Sequence, residues 1–280
     1  MTNPTAEIYV PDGKPAAEAL ARTTHLAISA HQDDIEIMAY KGIVDCFGSE
    51  EKWFSGVVVT NGAGSPRDDL YAAYTDEQMQ KIRRVEQRKA AYVGEYAAQV
   101  LMDFTSADVK SPSNSAVVAD IKEIVSACKP RFVYTHNLAD KHDTHVAVAL
   151  KIIEALRELP AADRPEKLYG CEVWRDLDWM TDADKVGFDV SAHPNIAAAL
   201  VGVFDSQICG GKRYDLATAG RRTAHATYFA SHGTDVTTAL NFAMDLTPLL
   251  TDSKLDPLDL AVAHIDRFRA EVSERMAKLR

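Results

Sequence analysis

Long apolar runs, paired cysteines and a surplus of positive charge are all missing from this chain of 280 residues. Each absence closes a class of function. No stretch approaches the ~18 apolar residues that a spanning helix needs, so no membrane span is expected. The four cysteines, Cys46, Cys128, Cys171 and Cys209, are scattered without a Cys-x-x-Cys pair. Neither a zinc knuckle nor a dithiol motif can be drawn from them, and they are expected to pack as small hydrophobes. Lys and Arg total 31 against 41 Asp and Glu, a formal net charge of −10. That balance leaves no electrostatic footprint for a phosphate backbone and argues against nucleic acid as a partner. Met1–Pro15 lacks a basic region followed by an apolar run, so no signal peptide and a cytoplasmic location are expected.

Apolar residues make up 46% and charged residues 26%, an ordinary globular balance. The length is near the upper end of what one hydrophobic core supports. The polar segment 1–14 is expected to run loosely over the surface. A short helix from Pro15 to Arg22 precedes the first strong strand, Thr24–Ala30. Helical spacing at Ile35, Met38, Ile43, Val44 and Phe47 follows. Further strands are expected at Gly56–Thr60, Gln99–Asp103 and Arg131–Tyr134. The intervening helices run from the capping box Thr75-x-x-Gln78 to about Tyr96, from Ala116 to Cys128 and from Val146 to Leu159. This alternation predicts an α/β, Rossmann-like fold with a mostly parallel sheet and helices on both faces. Strands at 167–174 and 186–190 come next, and after residue 192 the pattern turns helical. In the last helix, from about Pro257, Leu258, Ala261, Val262, Ile265, Phe268, Val272, Met276 and Leu279 form one stripe, as packing onto a core requires. The chain thus reads as one domain over 1–280, with a core over 1–175 and an elaboration of it over 176–280.

In open α/β sheets, ligands bind at the carboxyl ends of the strands. Two such ends carry metal-competent side chains: His31-Gln32-Asp33-Asp34, and Asp140-Lys141-His142-Asp143-Thr144-His145. Two adjacent buried carboxylates repel unless one binds a cation. His31 and Asp34, with His145 from the other segment, would make a His/Asp/His set with an open fourth position, the usual composition of a catalytic zinc site. Asp33 would lie beside the open position. The bland alternatives are a helix cap at Asp33 or Asp34 and a surface histidine pair. A dinucleotide site is the rival from another class. It needs a glycine-rich turn after the first strand, and the two carboxylates there would repel phosphate.

Ala30-His31-Gln32-Asp33-Asp34-Ile35-Glu36 resembles the Ala-His-Pro-Asp-Asp-x-Glu motif of the PIG-L/LmbE family of zinc-dependent N-deacetylases. His142-Asp143-Thr144-His145 resembles that family's His-Pro-Asp-His motif. Thr60-Asn61-Gly62 and the Arg83-x-x-Glu86 helix resemble two further features in the same order. The resemblance covers roughly residues 24–175. It implies zinc on His31, Asp34 and His145, although such a set also accepts other divalent metals. It implies Asp33 as general base and His142 as the group that stabilises the oxyanion and helps protonate the leaving amine. The implied substrate is a small N-acetylated sugar or glycoconjugate containing GlcNAc. A zinc amidase acting on a thiol–sugar conjugate is the alternative, and a non-catalytic relative that keeps the fold is a more distant one. Gln32 replaces the family's Pro, and Thr144 replaces the Asp that supports the catalytic His, a role open to Asp140 or Asp143. Lys141 and Asn61 sit where some members have substrate-contacting arginines. Arg67 and Lys141 are the candidate substrate contacts, and a homo-oligomer is possible. Trp174, Trp179 and Tyr169 read as core packing rather than a sugar-stacking wall. Gly210–Tyr214 reads as a helix connector, and His136, at a strand end, has no spacing argument.

Overall fold

A strand that is buried at every position must be covered on both faces, and His25–Ser29 is buried throughout. The computed structural model describes residues 1–280. Its strands are β1 (Glu7–Tyr9), β2 (His25–Ser29), β3 (Phe54–Thr60), β4 (Ala98–Phe104), β5 (Phe132–His136), β6 (Lys167–Cys171), β7 (Lys185–Asp189) and β8 (Leu240–Asp245). Its helices begin with α1 (Ala16–Ala21), α2 (Asp34–Met38), α3 (Tyr40–Cys46), α4 (Asp76–Val93), α5 (Ser106–Lys110) and α6 (Ala116–Cys128). They continue with α7 (Asp143–Arg157), α8 (Pro194–Gly202), α9 (Asp205–Ile208), α10 (Tyr214–Tyr228), α11 (Pro248–Thr251) and α12 (Pro257–Lys278).

The strands form one eight-stranded sheet in the order β1-β4-β3-β2-β5-β6-β8-β7. The central pairs are parallel. The pairs β1–β4, β6–β8 and β8–β7 are antiparallel. Strand order reverses between β2 and β5, so a crevice opens at their carboxyl ends. Leu26 and Ile28 of β2 face a core shared with α1, α6, α7 and α11. Ala27 faces the other core, shared with α2, α3, α4 and α8. This is the doubly covered α/β architecture read from the alternation. No helix is long and apolar enough to cross a membrane.

Five expectations need correction. The N-terminal segment is not loose: β1 pairs with β4, and the Met1 amine meets Glu123 at 2.9 Å. The helix expected over Ile35–Phe47 is two helices divided at Ala39. The Glu36 and Ile37 carbonyls that would continue it accept side-chain hydrogen bonds from Arg222, and Ile37 accepts another from Asn241. Helix α7 starts at Asp143 rather than Val146, because His142 Nδ1 accepts the Thr144 N–H as an N-cap. The region after residue 192 is not all helical, since β8 lies between β6 and β7. Finally, the apolar stripe of α12 does not pack on a core: only Ala261 and His264 of that helix are buried.

Candidate active site

The turn after β2 and the start of α7 after β5 meet at the point of strand reversal. Nδ1 of His31 lies 3.1 Å from Nε2 of His145. Oδ2 of Asp34 lies 3.3 Å from the first and 3.4 Å from the second. Donor atoms around a tetrahedral ion at ~2.0–2.1 Å are about 3.3 Å apart. The three atoms therefore fit one small divalent cation.

Two other histidines lie close, but their lone pairs are engaged. Nε2 of His136 accepts the Ala30 backbone N–H at 2.8 Å. Nδ1 of His142 accepts from Thr144. The groupings Asp34/His136/His145 and His31/His142/His145 are also close enough to hold an ion. The first would break the Ala30 hydrogen bond. The second leaves out the one carboxylate of the set. His136 instead stacks on His145, with ring centroids 3.9 Å apart. With Nδ1 of His142 accepting, its Nε2 carries the proton in the neutral ring.

Asp140 sets the orientation of His145 by accepting from its Nδ1 at 3.3 Å. It does not reach the His142 ring but accepts the His142 and Trp174 backbone N–H groups. Asp143 is exposed. The acid that supports a site histidine is thus Asp140, and it acts on His145.

Asp33 has φ of 91° with a side chain, a strained conformation of the kind that clusters at functional sites. It stands at the N-cap position of α2 without capping it, which removes the structural alternative. Its Oδ2 is buried without a hydrogen-bond partner, with Arg83 Nη2 3.6 Å away. Arg83 bonds the Gly62 and Gln32 carbonyls and so ties the β3 turn to the β2 turn. Gly62 must be glycine, since its φ is 77° and a Cβ would lie 2.4 Å from Gln32 Oε1.

Electrostatics separates the two neighbouring carboxyls. Burial raises the Asp33 pKa well above the usual range, and the opposing Arg83 charge does not cancel it. Asp34 is also buried, but the His145, His31 and His136 rings hold it well below that range. Burial lowers His31 to about 4 against the pull of Asp34. For His145, Asp34 and Asp140 outweigh burial and raise the pKa.

The family model described as PIG-L, GlcNAc-PI de-N-acetylase, matches residues 26–156. Those residues form a PIG-L domain. No curated protein matches the chain. Among solved structures, a 4-carboxy-2-hydroxymuconate hydratase from Pseudomonas putida is 16% identical with a TM-score of 0.61, over 80% of this chain and 96% of that one. The N,N′-diacetylchitobiose deacetylase from Pyrococcus horikoshii is 15% identical with a TM-score of 0.60, over 79% and 83%. A deacetylase of the A40926 pseudoaglycone is 17% identical with a TM-score of 0.58, over 80% and 97%. These likenesses show a shared fold. Because a hydratase shares it with deacetylases, the reaction must be argued from the site.

The PIG-L domain opens onto a cavity of about 310 Å³ lined by His31, Asp33, Asp34, His142, Trp174 and Tyr214, among others. Trp174 lines the cavity and also packs against the edge of a core, as Tyr169 and Trp179 do against theirs. Tyr214, at the end of the expected connector, opens α10 and lines the same space. Lys141 Nζ sits 5.8 Å over the Trp174 ring. Arg67 does not line the cavity, because its guanidinium is held by Asp76 and by the Ala63 carbonyl. His136 is the neighbour that sequence reasoning missed. Its position at the end of β5 was the available signal. A separate cavity of about 230 Å³ between α8 and α10 is mainly apolar and shares none of these lining residues.

Proposed function

We propose that this protein hydrolyses the N-acetyl group of a small GlcNAc-containing molecule or glycoconjugate, with zinc as the resident metal. The observation that carries this reading is the convergence of His31 Nδ1, Asp34 Oδ2 and His145 Nε2 beside the unpartnered Oδ2 of Asp33. The PIG-L domain and the deacetylases among the structural neighbours support it.

Zinc bound there would lower the pKa of a water molecule to ~7 and polarise an acyl carbonyl. Asp33 takes the proton of the attacking water on Oδ2. A nearby cation favours the ionised carboxylate, which offsets the burial that otherwise raises its pKa. His142 lines the cavity, and its Nε2–H donates to the oxygen that becomes negative as the acyl carbon turns tetrahedral. The C–N bond then breaks, and the nitrogen leaves as an amine after receiving the proton held by Asp33. Water and the amide are consumed, and acetate and a free amine are formed. Trp174 offers an apolar ring to the sugar, and the Lys141 ammonium, which does not itself line the cavity, lies over the same ring at 5.8 Å.

The test is acetate release by zinc-loaded protein from a panel of GlcNAc conjugates. Acetate and free amine in equal amounts are expected. A thiol–sugar amidase uses the same groups and would release amine from non-acetyl conjugates only. No release from any conjugate by metal-loaded protein would reject the reading.

A further inference from the structure

The last helix has an apolar face that the fold does not use. α12 runs over 22 residues, about 33 Å. It touches the body near its start, where Ala261 and His264 are buried and Arg267 meets Asp184 at 2.6 Å. From Ile265 to Arg280 every residue except Glu271 is exposed. A helical segment of that length is marginal in water without a partner.

Leu258, Val262, Ile265, Phe268, Val272, Met276 and Leu279 are 39–83% exposed. The steps between them are four, three, three, four, four and three residues, a mean of 3.5. A repeat of 3.5 keeps one seam facing a second helix in a left-handed pair, whereas packing on a broad core follows 3.6 and a wider face.

Charge then selects the partner and its direction. Residues 256–266 hold three aspartates and no Lys or Arg, while 267–280 hold five Lys and Arg against two Glu. A second copy laid antiparallel puts each acidic half beside a basic half. A parallel copy would stack like on like. The antiparallel register is also self-complementary. Leu258 faces Leu279, Val262 faces Met276, Ile265 faces Val272, and Phe268 meets its own copy on the twofold axis. A contact of this kind is isologous and closes at two copies.

We propose that two copies of this protein associate through an antiparallel α12–α12 pair centred on Phe268. This does not depend on the reaction at the metal site. The test is sedimentation of the full chain at tens of micromolar, with circular dichroism and zinc content as controls on the fold. A dimer is expected for the native chain, and for I265E/F268E a monomer with native zinc content and no loss of dichroism beyond that of the freed end of α12. A native monomer, or a dimer that survives I265E/F268E, overturns the proposal. For direction, L258C and L279C proteins are mixed and oxidised with copper–phenanthroline. Linkage between positions 258 and 279 of different copies supports the antiparallel pair, and linkage of 258 to 258 overturns it. Sedimentation of a monomer with anionic phosphatidylserine vesicles, lost in I265E/F268E, would assign the stripe to a membrane surface and overturn it too.

Discussion

Asp140 Oδ2 accepts a hydrogen bond from Nδ1 of His145 at 3.3 Å, and this contact turns the Nε2 lone pair of His145 toward Asp34 and His31. Such outer carboxylates fix the tautomer and raise the basicity of a ligating ring. Asp140→Asn is therefore expected to weaken zinc binding about 10–100-fold. Competition against a calibrated chelator measures this. Native affinity in the variant would show that the ring is oriented by something else.

Asp33 has a different task from Asp34, although the two are adjacent. Asp33→Asn should bind zinc with near-native affinity and lose ~10²–10⁴-fold in kcat, as expected for a positioned base. Steady-state kinetics together with metal content give both numbers. Full turnover in the variant would place the base elsewhere.

Arg222 links the C-terminal part of the chain to the helix that carries Asp34. Its Nη2 donates to the Glu36 and Ile37 carbonyls at the end of α2, and its Nε donates to Asn241. Arg222→Met removes these donors and leaves buried carbonyls poorly satisfied, at a cost of roughly 2–3 kcal/mol. Urea unfolding should show a lower midpoint with an unchanged slope. A midpoint within error of native would mean that water or relaxation replaces the guanidinium.

His25 gives the stability a pH dependence away from the active site. Burial lowers its pKa from the ordinary 6.5 to about 4. As pH falls below 6.5, the unfolded chain takes up a proton that the folded chain refuses until about pH 4. Stability from this group is thus complete above pH 6.5 and declines across that window, by about 3 kcal/mol at its lower end. His25→Gln should lose less stability than the native chain between pH 7 and 4, as measured by denaturant midpoints. Parallel curves for the two proteins would contradict the assignment.

The parallel centre of the fold was legible because each buried strand is an apolar run followed by a polar turn and a periodic helix. The same feature marked the site, since the His31–Asp34 and Asp140–His145 segments both stand at strand ends. β1 was hidden by its three residues and by the polar segment around it. β8 was hidden because Leu240–Asp245 is short and its neighbours β6 and β7 lie far back in the sequence. His136 was missed because a lone histidine in a strand has no spacing partner. Trp174 stands at the very end of the region that resembles the family and Tyr214 beyond it, and neither belongs to a motif. The α12 stripe teaches a further point. Periodicity shows that a helix has an apolar face, but whether that face meets the core or another molecule depends on where the chain travels before it.

The central claim is that His31, Asp34 and His145 hold one divalent ion beside Asp33. The most direct measurement is an anomalous difference map at the zinc edge from crystals of the zinc-loaded protein. The account predicts one strong peak between His31 Nδ1, Asp34 Oδ2 and His145 Nε2. A peak on the His136 or His142 side instead, or no peak among these residues in zinc-loaded crystals, would contradict it.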